Sequence, residues 1–340
     1  MVDARFAFRA AALVWAVLGA ACAADPGKGV APGGSEAELA SSAVLHLRDG
    51  SSVRGTPLAR YDHSTWWWDA EPEITFAIFD PAGRSDVPGE DRSLRFVRRS
   101  ELAVGQAEPV VPDAPPASYR SFLRDRGVVL GQSPLDGVAS VLNGHERWHL
   151  DEGGFGDFAW DIVRRNDDGR TFVGDGAAAA DYAVWGSPVF LPTAGWAVDV
   201  DDSAPDNVPG TIPSGAIDKI KNNMVGVQVA GSYYVYLLHF QQGSIPRRAN
   251  GNCEPARPGV KCIEPNTWLP QGTYLGLAGN SGVTYEPHLH LTTYFWDGTR
   301  SWSVPSELRG VHVRGSQGAS SVLAAFADPG TNDQLSNAPF

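Results

Sequence analysis

Cysteine is scarce in this sequence: 340 residues carry three. Cys22 falls in the extreme N-terminal stretch, which leaves Cys253 and Cys262 for everything else. Charge is thin as well, at 19% of residues, and unbalanced, with a formal net charge of −12. That surface argues against binding to a nucleic-acid backbone and says nothing positive about a substrate. Beyond the N-terminus no apolar run is long enough to span a bilayer. From Gly127 to about Val313 helical periodicity is confined to Ala216–Asn222, and no internal repeat is found. What is present is glycine (38), proline (25) and tryptophan (11) in a chain that is 43% hydrophobic. This composition describes a globular protein of short strands and many turns, long enough for one large or two modest domains.

The N-terminus reads as an export signal. Arg5 and Arg9 precede the uncharged run Ala10–Ala24, which includes Leu13, Val14, Trp15, Val17 and Leu18. Such a run is short for a membrane span and suits a signal peptide, with Ala21-Cys22-Ala23 as the cleavage site, so residues 1–23 are assigned to it. A competing reading makes Cys22 the lipidated cysteine of a bacterial lipoprotein. Against it, Leu18 stands one position too far upstream for the lipobox. Removing residues 1–23 leaves a net charge of about −13. Export favours an oxidising compartment, where Cys253 and Cys262 would close their Pro/Gly/Arg-rich segment as a disulfide. A zinc site there would need two more ligands, and the segment supplies none.

Residues 24–42 are small and polar and read as a linker. Residues 43–110 form a β-rich accessory domain, with alternating, β-branched and aromatic text such as AVLHLRDGSSVRG and EITFAIFD. Its three consecutive tryptophans, Trp66–Trp68, are a candidate sugar or partner patch, or simply half core and half surface. Val110–Pro116 is a Pro-rich boundary, followed by a short helix over Tyr119–Arg126. Residues 117–315 return to short strands between Gly and Pro. Residues 316–340 are small and polar and read as a flexible tail. The fold class is mainly β, with an antiparallel sheet core and a groove.

The stretch with most chemistry is GNSGVTYEPHLH, Gly279–His290. Strand formers follow it, so His288 and His290 fall on one strand face while Leu289 and Leu291 face a core. Gly279 and Gly282 permit a tight turn upstream. Two imidazoles side by side suit a metal ligand next to a proton-transfer group, although HxH alone also describes two polar residues on an exposed strand. A second element is Phe158–Val163, FAWDIV, a strand signal with Asp161 embedded in it. A carboxylate beside small apolar residues requires a partner or a metal. A third is SYYVYLLHF, Ser232–Phe240, with His239 near the strand end, where a lone histidine equally reads as a hydrogen-bonded core residue. Upstream of Asp161 stand His149 and His145.

In order and wording, FAWDI, SPVFLPTAGWAVDVDDSAPDNVPG, YVYLLHFQQGSIP and PQGTYLGLAGNSGVTYEPHLHL resemble the lysostaphin-like zinc metalloendopeptidases, secreted bacterial enzymes that cut peptidoglycan peptide bridges. The resemblance covers about residues 140–300. It implies an antiparallel β core with the site in a groove across one face, and one Zn2+ ion. Asp161 and His290 match metal ligands, and His239 and His288 match catalytic histidines. The remaining ligand is expected at His149, with His145 as competitor, because the spacer to Asp161 is longer than in compact members. The insertions Arg164–Ala183 and Asn250–Asn266 also depart from compact members and are expected to line or roof the groove.

Two histidines and one aspartate would leave a tetrahedral zinc one open position, as catalytic sites do. No HExxH is present, so the base must come from His239 or His288. The expected function is hydrolysis of peptidoglycan cross-bridges by an exported, monomeric enzyme with no transmembrane span, in the periplasm, cell envelope or medium. Alternatives are a catalytically silent wall-binding or activator relative, and an exported zinc protease acting on Gly-rich proteins.

Overall fold

A computed structural model of the chain describes residues 42–62, 73–144, 154, 156–211, 213, 221–249, 252–255, 259–315 and 322–340. The expected export signal with Cys22, the Trp66–Trp68 run, and both His145 and His149 lie outside these residues, as does most of Ala216–Asn222.

Strands dominate, as the alternating text leads one to expect. In chain order they are β1 (Ala43–His46), β2 (Ser52–Asp62), β3 (Ile74–Phe79) and β4 (Leu94–Arg98), then helix α1 (Ala117–Asp125). There follow β5 (Ala139–Asn143), β6 (Ala159–Val163), β7 (Pro188–Phe190), β8 (Gly195–Asp201), β9 (Met224–Ala230), β10 (Tyr233–Leu238), β11 (Arg247–Ala249) and β12 (Asn252–Glu254). The last are β13 (Trp268–Leu269), β14 (Tyr274–Leu277), β15 (Leu289–Trp296), β16 (Ser301–Ser303), β17 (Leu308–Arg314), β18 (Val322–Ala327) and β19 (Gln334–Ser336). Strands β1–β4 form a sequential four-stranded sheet, and every ladder in it is antiparallel. A larger antiparallel sheet runs β13-β8-β9-β10-β15-β6-β5-β19-β17-β18, with β16 added on β15. No helix among the described residues is long and apolar enough to cross a membrane.

Alternation decides what each face of the large sheet does. Leu289 and Leu291 of β15, Trp160 and Ile162 of β6, and Val235 and Leu237 of β10 all point into one core with Val225, Val227 and Phe240. The intervening residues Asp161, Leu238 and His290 are therefore displayed on the opposite face. Strands β7 and β14 pair with each other and bring Val189 and Leu275 to the covered face.

The small sheet shares a second core with the large one. Leu58, Tyr61, Phe79 and Leu94 pack with Tyr119 and Leu123 of α1 and with Tyr233, Phe295 and Trp302. Phe96 stacks on Trp302 with ring centroids 4.4 Å apart, and the Tyr61 hydroxyl donates to the Ser303 carbonyl at 2.8 Å. The helix expected over Tyr119–Arg126 is α1, which starts directly after Pro116 and ends with Arg126 as its C-cap. There the Arg126 guanidinium meets Asp91 at 3.1 Å, with both side chains almost wholly buried.

The C-terminal residues depart from the flexible tail expected of them. Strand β18 pairs with β17, and β19 lies between β17 and β5, with Leu335 fully buried. The stretch is not small and polar throughout: β18 carries the apolar text VLAAFA, whereas the QLS of β19 carries no strand signal of its own. The partners come from distant parts of the chain and supply the hydrogen bonds. Cys253 and Cys262 are disulfide-bonded, as expected.

Candidate metal centre and active site

Register places the central pair. On β15, His290 is paired with Leu238 of β10 on one side and with Asp161 of β6 on the other. Directly paired residues share a sheet face, so His290 and Asp161 meet. His290 Nδ1 lies 2.9 Å from Asp161 Oδ1. One strand further, a register shift between Val141 and Asn143 aims the Asn143 side chain at the same carboxylate. Its Nδ2 donates to Asp161 Oδ2 at 2.8 Å. One carboxylate oxygen is thus held by an amide while the other faces the histidines.

His288 precedes β15 and joins the cluster from its entry. Its Nδ1 donates to the Glu286 carbonyl at 2.8 Å, with the Thr284 hydroxyl 3.2 Å away. A carbonyl can only accept, so the Nδ1 proton is fixed and Nε2 is the ring atom left for chemistry. That Nε2 stands 3.3 Å from Asp161 Oδ1.

His239 arrives differently. It follows β10 in the left-handed region, at φ 69°, an uncommon conformation for a side chain of this size. The turn carries its ring to the carbonyl of Ser281, to which Nδ1 donates at 2.7 Å. Ser281 belongs to the GNSG run, and that run is tightly fitted. Gly282 has φ +83°, and a Cβ there would fall 1.6 Å from Asn222 Oδ1. Asn223 ties the same corner together, donating to the carbonyls of Ala204 and Phe240 at 2.9 and 3.0 Å.

The three rings converge. Ligand nitrogens of His239, His288 and His290 lie within 4.8 Å of one another, and all three residues are buried. The His239 and His288 ring centroids are 4.7 Å apart. Burial, reinforced by the neighbouring His288 and His290, holds the His239 pKa well below the ordinary imidazole value. Burial also pushes His288 down, but the charge and hydrogen bond of Asp161 and the Glu286 carbonyl outweigh it, so His288 ends above that value.

This donor set fits a zinc ion. Imidazole nitrogens and a carboxylate oxygen are the usual borderline and hard ligands of zinc. The Asp161 carboxylate is held by the Asn143 amide, as metal ligands commonly are by outer partners, while the imidazoles of His239 and His288 are oriented through Nδ1 by backbone carbonyls. Asp161 Oδ1 faces two ring nitrogens at 2.9 and 3.3 Å, and lone pairs at such distances need a proton or a cation between them.

Of the expected site residues, Asp161, His239, His288 and His290 are brought together. The expected third ligand His149 lies outside the described residues with His145. Sequence reasoning passed over Asn143, Thr284 and the Ser281 and Glu286 carbonyls. The GNSG run was a visible signal for Ser281. Asn143 has none, since an asparagine ending a short strand is ordinary text.

No protein-family model matches the sequence, and no curated protein matches it. Solved structures do. A zinc-containing peptidase from Vibrio cholerae is 13% identical, the match covering 75% of this chain and 50% of that one at a TM-score of 0.27. The chain therefore spans about half the length of that protein. The catalytic domain of the prophage-encoded protein EnpA from Enterococcus faecalis is 16% identical over 52% of this chain and 94% of its own, with a TM-score of 0.28. Lysostaphin from Staphylococcus simulans, an antimicrobial peptidase, is 10% identical over 61% and 82%, with a TM-score of 0.27.

Proposed function

We propose that this chain is a zinc-dependent peptidase of the lysostaphin-like kind, hydrolysing peptide cross-bridges of bacterial peptidoglycan. The observation that carries the reading is the single carboxylate oxygen of Asp161 facing both His290 Nδ1 and His288 Nε2 on a buried sheet face, with His239 alongside. The order of motifs from FAWDI to EPHLH supports the same reading.

Asp161 and His290 would hold the ion, with His149 as the third protein ligand. Bound zinc supplies an activated water and a polarised scissile carbonyl. The chain's own groups do the rest. Asn143 keeps the Asp161 carboxylate turned toward the rings. His239 and His288 handle protons at Nε2, because a backbone carbonyl fixes the Nδ1 proton of each. After it has taken a proton, the same Nε2 atom would donate to the oxyanion of a tetrahedral intermediate. The export signal expected at residues 1–23 and the Cys253–Cys262 bond suit an extracytoplasmic compartment, where peptidoglycan lies.

The test is incubation of the purified chain with peptidoglycan sacculi, with and without chelator, followed by muropeptide analysis. Cross-bridge products that vanish with chelator and return with zinc are expected. Intact sacculi, or chelator-insensitive cleavage, would reject the reading.

A further inference from the structure

One acidic side chain at this site has no task in the scheme above. Glu286 sits two residues before His288, and its backbone is fixed by the chemistry of the cluster. Its carbonyl accepts from His288 Nδ1 and from the Thr284 hydroxyl, each at 2.8 Å. The side chain is half-buried, and its carboxylate makes no hydrogen bond or salt bridge among the described residues. Burial holds that carboxyl above its ordinary range, against the pull of His288. The arginine whose charge reaches it is Arg165, already committed through Nη1 to the Gly169 carbonyl and through Nη2 to Asn332 Oδ1, both at 2.9 Å. Its neighbour in sequence, Tyr285, is 59% exposed.

A half-buried carboxylate two residues from His288, with no hydrogen bond or salt bridge among the described residues, is suited to take a cation. We propose that Glu286 is a specificity-determining residue that receives a primary ammonium group of the peptide substrate, a proposal that rests on the peptidase reading. An ammonium brings three donors and forms charge-assisted hydrogen bonds, and the exposed Tyr285 ring offers a further cationic contact. A neutral or anionic group in the same place would leave the carboxylate desolvated and unmatched, which is how a site rejects a near relative of its substrate. The ammonium has two sources in a cross-bridge peptide, the α-amine of a chain end and the side-chain amine of a diamino acid.

The experiment uses zinc-loaded wild type and Glu286→Gln on one synthetic cross-bridge peptide in four forms: both amines free, either one acetylated, both acetylated. Acetylating the recognised amine should lower wild-type kcat/KM by about 10–100-fold, the worth of a hydrogen bond to a charged group, chiefly through KM. The form that suffers identifies the source. In Glu286→Gln the ratio between free and acetylated forms should collapse toward about one, with zinc content and melting temperature retained. Equal wild-type rates on all four forms would overturn the proposal and leave the peptidase reading intact. So would a Glu286→Gln loss that is the same for every form. Should that variant fail to fold, the wild-type acetylation series decides alone. If zinc-loaded wild type cleaves neither the peptides nor sacculi, the peptidase reading falls, and this one with it.

Discussion

Asp161 and His290 occupy directly paired positions on adjacent antiparallel strands, and their side chains meet at 2.9 Å through Oδ1 and Nδ1. Because strand register fixes that meeting, the pair cannot drift apart without slipping a whole sheet. The same oxygen also faces His288.

Asn143 should govern how tightly the metal is held. It contributes no ligand atom but orients the Asp161 carboxylate from 2.8 Å. Asn143→Ala is expected to weaken zinc affinity by about 10–100-fold while leaving the fold intact. Competition against a chelator of known affinity measures this. Unchanged affinity would show that the carboxylate needs no such support.

His239 and His288 should matter for rate. Replacement of either by Ala is expected to lower hydrolysis by on the order of 10²–10⁴. Single-turnover rates on a defined peptide are the readout, and wild-type hydrolysis by either variant would return that histidine to the structural core.

Much of this site was legible in the text, because Asp161 and His290 sit at strand positions whose parity is visible, and His288 and His239 stand at the ends of clear strand text. Asp161 interrupts an apolar strand, and His288 and His290 alternate with core leucines. The supporting groups were not legible. Asn143 reaches Asp161 through strand pairing and a register shift, and two of the orienting groups are backbone carbonyls, which no sequence letter marks. The same holds for the fold. Alternating, β-branched and aromatic text marked β1–β4 and β10, while the short β19 owes its order to β17 and β5. Nor could sequence alone show that Tyr61 would donate to Ser303, since the two are 242 residues apart.

The shared core between the two sheets makes a stability prediction. Asp91 and Arg126 are both buried, and removing Asp91 leaves the guanidinium no oxygen partner among the described residues but the Ser85 carbonyl at 2.9 Å and the exposed Asp86 at 3.6 Å. Asp91→Ala should destabilise the protein by about 3–5 kcal/mol, whereas replacing both with apolar residues of matched size should recover most of that. Denaturant unfolding of the single and double variants checks this, and a single variant as stable as wild type would contradict it.

Asp202 makes a prediction about pH. Burial raises its carboxyl from 3.8 to about 6, although backbone hydrogen bonds from the Gly243–Ile245 turn and the charge of Arg247 pull it down. The folded protein thus holds this proton more tightly than the unfolded chain. The associated stability is fully present below the unfolded value of 3.8 and is lost as pH rises through about 6. Asp202→Asn should therefore melt higher than wild type at neutral pH, with the advantage shrinking as pH falls from about 6 and gone below about 4. Melting curves across that range decide it, and a pH-independent difference would rule the titration out.

The central claim is that Asp161 and His290 hold a zinc ion while His239 and His288 work beside it. Its most direct test is the zinc content of the purified, zinc-reconstituted protein and its four single alanine variants, measured by elemental analysis. The account expects one zinc in wild type, none in Asp161→Ala or His290→Ala, and one in His239→Ala and His288→Ala. Zinc retained by Asp161→Ala and lost from His239→Ala would contradict it, and would assign the metal to the three histidines instead.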